Sequence, residues 1–351
     1  MKYRKCGVFL CYVLCRNLII MSLKNIKISI ALCTYNGEAF LEEQLDSYLN
    51  QKLLPDELVI NDDCSTDNTV AIINDFAKNA PFPVYLEINN SNLGSTKNFE
   101  RAIVRSSGDY IFLSDQDDVW KKDKIEKIIS KFEEDENINL VFTNAELVDE
   151  KMQPLNKLLF DFTLEKKNRS VFKVNQLEYL NKYGNCVTGA TMAFKKELKS
   201  TILPVPIYSL NIHDGWIAIV AATLGELFFF EDSLIYYRQH QNQQIGAMHN
   251  PQKNKYPFER NHQYAVNCIK EYKKLIKEEQ NLNRINIYNY LLELHNKKHN
   301  HFKFRQELSK NIFKRVPEVL AYLIKGGYYK NRAHPLSFLK DIVGNGMEKD
   351  W

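Results

Sequence analysis

Short apolar runs alternate with stretches in which apolar side chains recur every three or four positions. The two periods predict strands and helices in turn. Lys27–Cys33 is β-rich and mostly apolar and reads as a central parallel strand, ending in the turn cluster Thr34-Tyr35-Asn36-Gly37. Leu41, Leu45 and Tyr48 predict the helix that follows, and Pro55 ends that segment. Glu57–Ile60 predicts a second strand, with the exit Asn61-Asp62-Asp63-Cys64-Ser65-Thr66-Asp67, then a helix carrying Val70, Ile73, Phe76 and Ala77. Val84–Ile88 predicts a third strand, Asn89–Gly94 a loop, Thr96–Arg105 a helix and Tyr110–Leu113 a fourth strand. This β-α-β-α-β-α-β order predicts an α/β fold, a parallel sheet covered on both faces.

The second half is less regular. Lys121–Asp135 predicts an amphipathic helix with Ile125, Ile128, Ile129 and Phe132 on one side, and Leu140–Thr143 predicts a strand. Asp149–Asn175 lacks periodicity and reads as a loop or excursion. Asn185–Phe194 reads as a strand of small residues. A helix is expected to open at Ile212-His213-Asp214-Gly215-Trp216 and run through Ala222, before two strands, Leu227–Phe230 and Ser233–Tyr237, joined by Glu231-Asp232. Beyond that the chain is Lys- and Asn-rich with helical patterns from about Glu259 to Ser309. The expected division is a leader over 1–25, an α/β domain over 26–246 and a helical extension over 247–351.

Composition narrows the class. The 351 residues are 44% hydrophobic and 26% charged, as in an ordinary globular chain. A net charge of +4 is too small to argue for nucleic acid. Seven Cys without a repeated spacing do not make a disulfide framework, and no CxxC pair suggests zinc. Reduced thiols and a cytoplasmic location are expected. In the leader, Lys2, Arg4 and Lys5 precede Val8–Leu14, an apolar stretch like a signal-peptide core that Arg16 and Asn17 interrupt. It is short for a membrane span. A start assigned too early is the expectation, with a true anchor as the alternative.

The candidate chemistry sits at strand exits. Ser114-Asp115-Gln116-Asp117-Asp118-Val119-Trp120 crowds three carboxylates behind the fourth strand. In an extended segment Asp115 and Asp117 share a face, and a divalent cation such as Mg²⁺ or Mn²⁺ relieves their repulsion. The alternative is a solvated acidic turn capping the next helix. Asp62 and Asp63 form a second acidic exit, and two such exits beside a Thr-Tyr-Asn turn favour a nucleotide site at the carboxyl edge of the sheet. Gly189 either admits a ligand or serves packing. Asp214 reads as a helix cap or a functional acid. Arg238-Gln239-His240-Gln241-Asn242-Gln243 reads as a polar phosphate or sugar pocket, although a lone His is more often structural. His295, His299 and His301 read as a solvated face. Ile312–Ile324 is basic and amphipathic, suited to a membrane surface or to docking on the α/β domain.

These motifs in this order resemble the signatures of family 2 glycosyltransferases with a GT-A fold, over roughly Ile26 to Gly246. The Ser-Asp-Gln-Asp-Asp-Val-Trp form, with His213-Asp214 and Tyr237-Arg238-Gln239-His240, is most similar to the bacterial rhamnosyltransferase-like branch, which builds O-antigen, capsule and other surface polysaccharides. The resemblance implies a nucleotide-diphosphate-sugar donor, a saccharide or lipid-linked acceptor, a divalent metal and inversion at the anomeric carbon. It puts Thr34, Tyr35, Asn36, Asp62 and Asp63 at the nucleotide, with Asp115, Gly189 and Arg238 also toward the donor. It puts Asp115, Asp117, Asp118 and His240 at the metal, leaving open which of Asp117 and Asp118 touches it, and Asp214 as the general base. Cys64, commonly Gly in the family, and Asn61, commonly apolar, depart from the pattern. A non-catalytic sugar-nucleotide or glycan-binding module is the competing expectation. A nucleotidyltransferase would want a basic, Gly-rich loop after the first strand, and Thr34-Tyr35-Asn36-Gly37-Glu38 is not one.

Overall fold

The computed structural model describes residues 26–206, 212–241, 243, 258–309, 311–327, 338 and 341–342. The leader, the expected boundary at 246 and Tyr328–Lys330 lie outside the described residues. The elements in chain order are β1 (Ile28–Thr34), α1 (Leu41–Leu49), β2 (Glu57–Asp62), α2 (Thr69–Asn79), β3 (Val84–Ile88), α3 (Ser95–Arg105), β4 (Tyr110–Ser114), β5 (Val119–Trp120), α4 (Lys124–Glu134), β6 (Ile138–Val148) and β7 (Pro154–Leu158). Short helices α5 (Phe160–Thr163) and α6 (Arg169–Val174) and helix α7 (Gln176–Tyr183) precede β8 (Met192–Lys195). Then come α8 (Lys199–Ile202), α9 (His213–Leu224), β9 (Glu226–Arg238), α10 (Phe258–Glu278), α11 (Leu282–Glu307) and α12 (Ile312–Ile324).

Among the described residues the strands form one nine-stranded sheet in the order β3-β2-β1-β4-β8-β6-β9-β5, with β7 beside β6. β3, β2, β1 and β4 are mutually parallel. Every residue of β1, β2 and β4 is buried, as expected for strands covered on both faces. The chain leaves β1 toward β2 on one side and later returns to β4 on the other. That reversal opens a crevice at the carboxyl ends of β1 and β4, where open α/β sheets hold ligands. Beyond β4 the sheet is mixed: β8 is antiparallel to both β4 and β6, while β9 runs parallel to β6.

Several expectations change in the second half. The region 185–194 is a strand only from Met192. Asn185 bonds both the amide and the carbonyl of Val187, and Gly189–Thr191 winds into a 3-10 turn. These local side-chain bonds compete with strand pairing. The two expected strands 227–230 and 233–237 are one, β9, whose register against β6 slips between Thr143↔Phe230 and Asn144↔Ser233. Glu231 and Asp232 are therefore a bulge rather than a turn, and the Asn144 amide donates to the Glu231 carbonyl across it. The stretch 149–175 holds β7, α5 and α6. Phe160 and Phe172 leave no helical stripe because they bury singly, packing edge-on to Phe142 and Phe229.

The chain divides into two compact units, one of residues up to Leu177 with Asn185–Val205 and Ile212–Gln241, the other of Glu178–Gly184, Pro206–Asn211 and the chain from Asn242. In the second unit, α10 and α11 pair. His295 and His301 are buried there, not solvated: His295 bonds the Leu291 carbonyl and His301 the Tyr322 hydroxyl. A buried ion pair joins Arg305 to Asp341. Among the described residues, no helix is long and apolar enough to cross a membrane.

Candidate active site

Every site residue discussed here belongs to the first unit. The turn after β1 is fastened to the loop after β2. Thr34 is buried, and its hydroxyl donates to Asp62 at 2.7 Å. Asp62 also accepts from the amide and hydroxyl of Ser65. Asn36, at φ 48°, donates its amide to Ser65 Oγ and accepts from the Thr66 amide. Asp63 accepts from the Asn89 side chain and the amides of Leu93 and Gly94, each at 2.8 Å. Thr34, Asn36, Asp62 and Asp63 thus build the floor of the crevice through bonds to one another and to its loops. A carboxylate has about four acceptor positions, and three of those of Asp63 are filled. Tyr35 and Asn36 are the exposed members, with Tyr35 41% exposed.

The two departures from the family pattern have local explanations. Cys64 sits at φ 68°, a left-handed conformation that favours glycine. Asn61 is buried, and its amide donates to Asn89 and Asn98, whose own amide returns to the Asn61 carbonyl.

The acidic exit of β4 is organised by alternation. Gln116 turns toward the first turn, where its side chain accepts from the Tyr35 amide at 2.8 Å and donates to the Tyr35 carbonyl at 3.0 Å. A Cβ on Gly37 would collide with that amide group, which is why the turn carries glycine there. Asp115, Asp117 and Asp118 lie together with Asp214. Burial, then Asp117 and Asp214, push the Asp115 carboxyl up to about 7. Burial, then Asp117 and Asp115, hold Asp118 well above the usual carboxylate range. Asp118 Oδ1 accepts the Arg238 amide at 3.0 Å, while its buried Oδ2 has no hydrogen-bond partner. Asp117 Oδ2 lies 2.8 Å from His240 Nε2. The unpartnered Asp118 oxygen and the Asp117–His240 contact offer donor atoms, but among the described residues no group of three or more His, Cys, Asp or Glu side chains is arranged to hold a metal ion.

Asp214 lies in the first turn of α9, where burial pushes its carboxyl up to about 7 against the bond from the Gly215 amide. A Cβ on Gly189 would stand 3.1 Å from His213 Nε2, so glycine lets this turn approach the head of α9. His213 stacks on Phe99 with ring centroids 4.1 Å apart. Arg238 has a different place from the one expected of a donor ligand. It is fully buried; its guanidinium donates to the carbonyls of Asp117 and Glu150 and to the Glu43 carboxylate, over the ring of Phe40. It braces the acidic turn from behind.

Three residues escaped the sequence reading: Gln116, Glu43 and Lys124. Lys124 is fully buried, with Nζ 2.7 Å from the Ala190 carbonyl and 3.7 Å from the centre of the Trp120 ring. Burial pushes its ammonium down to about 7, opposed by Asp118 and Asp115. Its signal was present: it extends the apolar stripe of Ile128 and Phe132 by one turn, a charged residue on a core face.

The Glycosyl transferase family 2 model matches residues 29–200. The chain is 31% identical over 230 residues to the dTDP-rhamnosyl transferase RfbG of Shigella flexneri, covering 62% of this chain and 74% of that one. It is 34% identical over 134 residues to the putative teichuronic acid biosynthesis glycosyltransferase TuaG of Bacillus subtilis, covering 38% of this chain and 52% of that one. The crystal structure of S. aureus TarS 1-349 in complex with UDP-GlcNAc superposes with a TM-score of 0.51 at 16% identity, over 91% of this chain and 92% of that one, a likeness of fold. The chain belongs to glycosyltransferase family 2, with the GT-A fold, and its relatives include rhamnosyltransferase-like members.

Proposed function

We propose that this glycosyltransferase moves a sugar, with inversion, from a nucleotide-diphosphate donor to a saccharide or lipid-linked acceptor during synthesis of a bacterial surface polysaccharide. The observation that carries the reading is the carboxylate cluster at the exit of β4, where Asp117 Oδ2 lies 2.8 Å from His240 Nε2 and Asp118 Oδ2 is buried without a hydrogen-bond partner, with Asp214 near enough for its charge to help raise Asp115. Asp214, held near neutrality, takes the acceptor hydroxyl's proton as that oxygen attacks the anomeric carbon. Attack from the side opposite the departing diphosphate inverts the centre. Tyr35 stacks on the base, and Asp63 accepts its ring N–H. Asp115, Asp117, Asp118 and His240 are the residues that would hold a divalent cation, whose positive charge would favour departure of the diphosphate. The name of the Shigella relative makes dTDP-rhamnose the first donor to test.

Peripheral contact at the cytoplasmic face of the membrane belongs to the same proposal. α12 exposes Phe313 and Ile324 at 86% and 85%, beside Lys314 and Arg315. Sedimentation with anionic vesicles tests it: Phe313→Glu with Ile324→Glu is expected to release the protein, and equal partitioning overturns the membrane contact.

The test of the activity is binding and turnover across a panel of nucleotide sugars, with Mg²⁺, Mn²⁺ or chelator. One donor bound and turned over supports the reading. Donor binding without transfer to any acceptor supports the competing binding module.

A further inference from the structure

Lys124 has no part in the mechanism above, yet its charged side chain is fully buried beside it. A lysine at a core boundary ordinarily extends its ammonium to water. This one is fully buried, although a methionine of similar length would fill the space without the cost of desolvating a charge. What the methionine would lack is the N–H donor. That donor meets the carbonyl of Ala190 at 2.7 Å. Ala190 follows Gly189 in the 3-10 turn, and Gly189 packs against Asp214: a Cβ on it would stand 3.8 Å from Asp214 Cβ. At its other side the ammonium rests on Trp120, the residue that ends the acidic exit of β4 and pairs with Ile235 of β9. One side chain therefore connects the strand exit that carries Asp115, Asp117 and Asp118 to the turn that packs on Asp214.

We propose that Lys124 is a positioning residue for glycosyl transfer: through the Ala190 carbonyl it fixes the Gly189–Thr191 turn, and through that turn the Asp214 carboxylate, against the acidic cluster. The inference rests on the glycosyl-transfer reading for its kinetic consequence and on geometry alone for the strut. Loss of the strut leaves the donor crevice between β1 and β4 intact and loosens the base.

The experiment is Lys124→Met and Lys124→Arg in the full chain, read by kinetics, donor binding, thermal melting and amide hydrogen exchange. Lys124→Met is expected to lower kcat by roughly ten- to a hundredfold, the scale of a misplaced reacting group. Donor KM and the melting temperature change little. Exchange rises in the peptides spanning 186–192 and 212–217 and stays constant in 57–62. Lys124→Arg, which keeps a donor, recovers part of kcat. An unchanged kcat overturns the proposal, as does a loss of kcat with donor binding and protection falling together across β1, β2 and β4. If wild type transfers no sugar, the glycosyl-transfer reading fails, and exchange decides the strut alone: faster exchange confined to the two peptides sustains it, and none overturns it.

Discussion

Replacing Asp214 with Asn separates a base from a helix cap. The carboxylate accepts from the Gly215 amide, and an Asn carbonyl oxygen preserves that acceptance. The fold of the turn therefore survives while the proton acceptor is lost. General-base removal costs ~10²–10⁴ in rate, about 3–5 kcal/mol of transition-state stabilisation. A cap alone is worth ~1 kcal/mol of stability on truncation to Ala and nothing in turnover. The pH profile gives a second reading of the same group. Burial raises the carboxyl to about 7, and only its ionised form accepts a proton. In wild type log kcat should climb with unit slope below pH 7 and level off above it, and in Asp214→Asn this limb should vanish. Stability moves the other way. A carboxyl raised in the folded state, against 3.8 at its ordinary value, costs the fold increasingly as pH rises from about 4 through 7. The Asn variant escapes that cost and should melt higher than wild type at pH 8. The assay is kcat against pH from 5.5 to 8.5 at saturating donor, with donor affinity by calorimetry. A variant within tenfold of wild-type kcat, or a flat wild-type profile, refutes the role.

Four further outcomes are expected. Asp117→Ala removes both a cluster carboxylate and the partner of His240, so Mn²⁺ binding by calorimetry and kcat should both fall; unchanged metal affinity would remove Asp117 from the seat. Cys64→Gly relieves a left-handed cysteine and should raise the melting midpoint by the equivalent of ~1 kcal/mol, with donor binding unchanged. Arg238→Met leaves the Asp117 and Glu150 carbonyls without their donor, while the half-exposed Glu43 carboxylate turns to water, and urea unfolding should show a loss of roughly 1–3 kcal/mol. Gly189→Ala puts a methyl 3.1 Å from the His213 ring, so kcat should drop while donor KM holds; equal losses in both would place Gly189 at the donor instead.

The pattern of apolar positions determined the first half of the fold. β1 through β4 and the helices between them lie where periodicity puts them, because β1, β2 and β4 are apolar runs buried on both faces, β3 is a short β-rich edge strand, and each helix carries one apolar stripe. The acidic exits were equally legible, since side-chain alternation at a strand end is a local property. The second half was decided by tertiary contacts. The bulge at Glu231-Asp232 exists only against β6, and the turn at Gly189 only because the head of α9 packs on it. For the site, sequence named the carboxylates, and tertiary structure supplied their burial and partners. Arg238 looks like a diphosphate ligand in a polar burst. Only the fold brings Glu43, Glu150 and the Asp117 carbonyl within reach of its guanidinium, from positions far away in sequence. Asp214 is a cap by local rules. Only the fold buries it and so lifts its carboxyl to about 7, which the proposed role as a base requires. Spacing along a chain fixes which groups share a face; burial and the partners that long-range packing supplies fix what those groups can do.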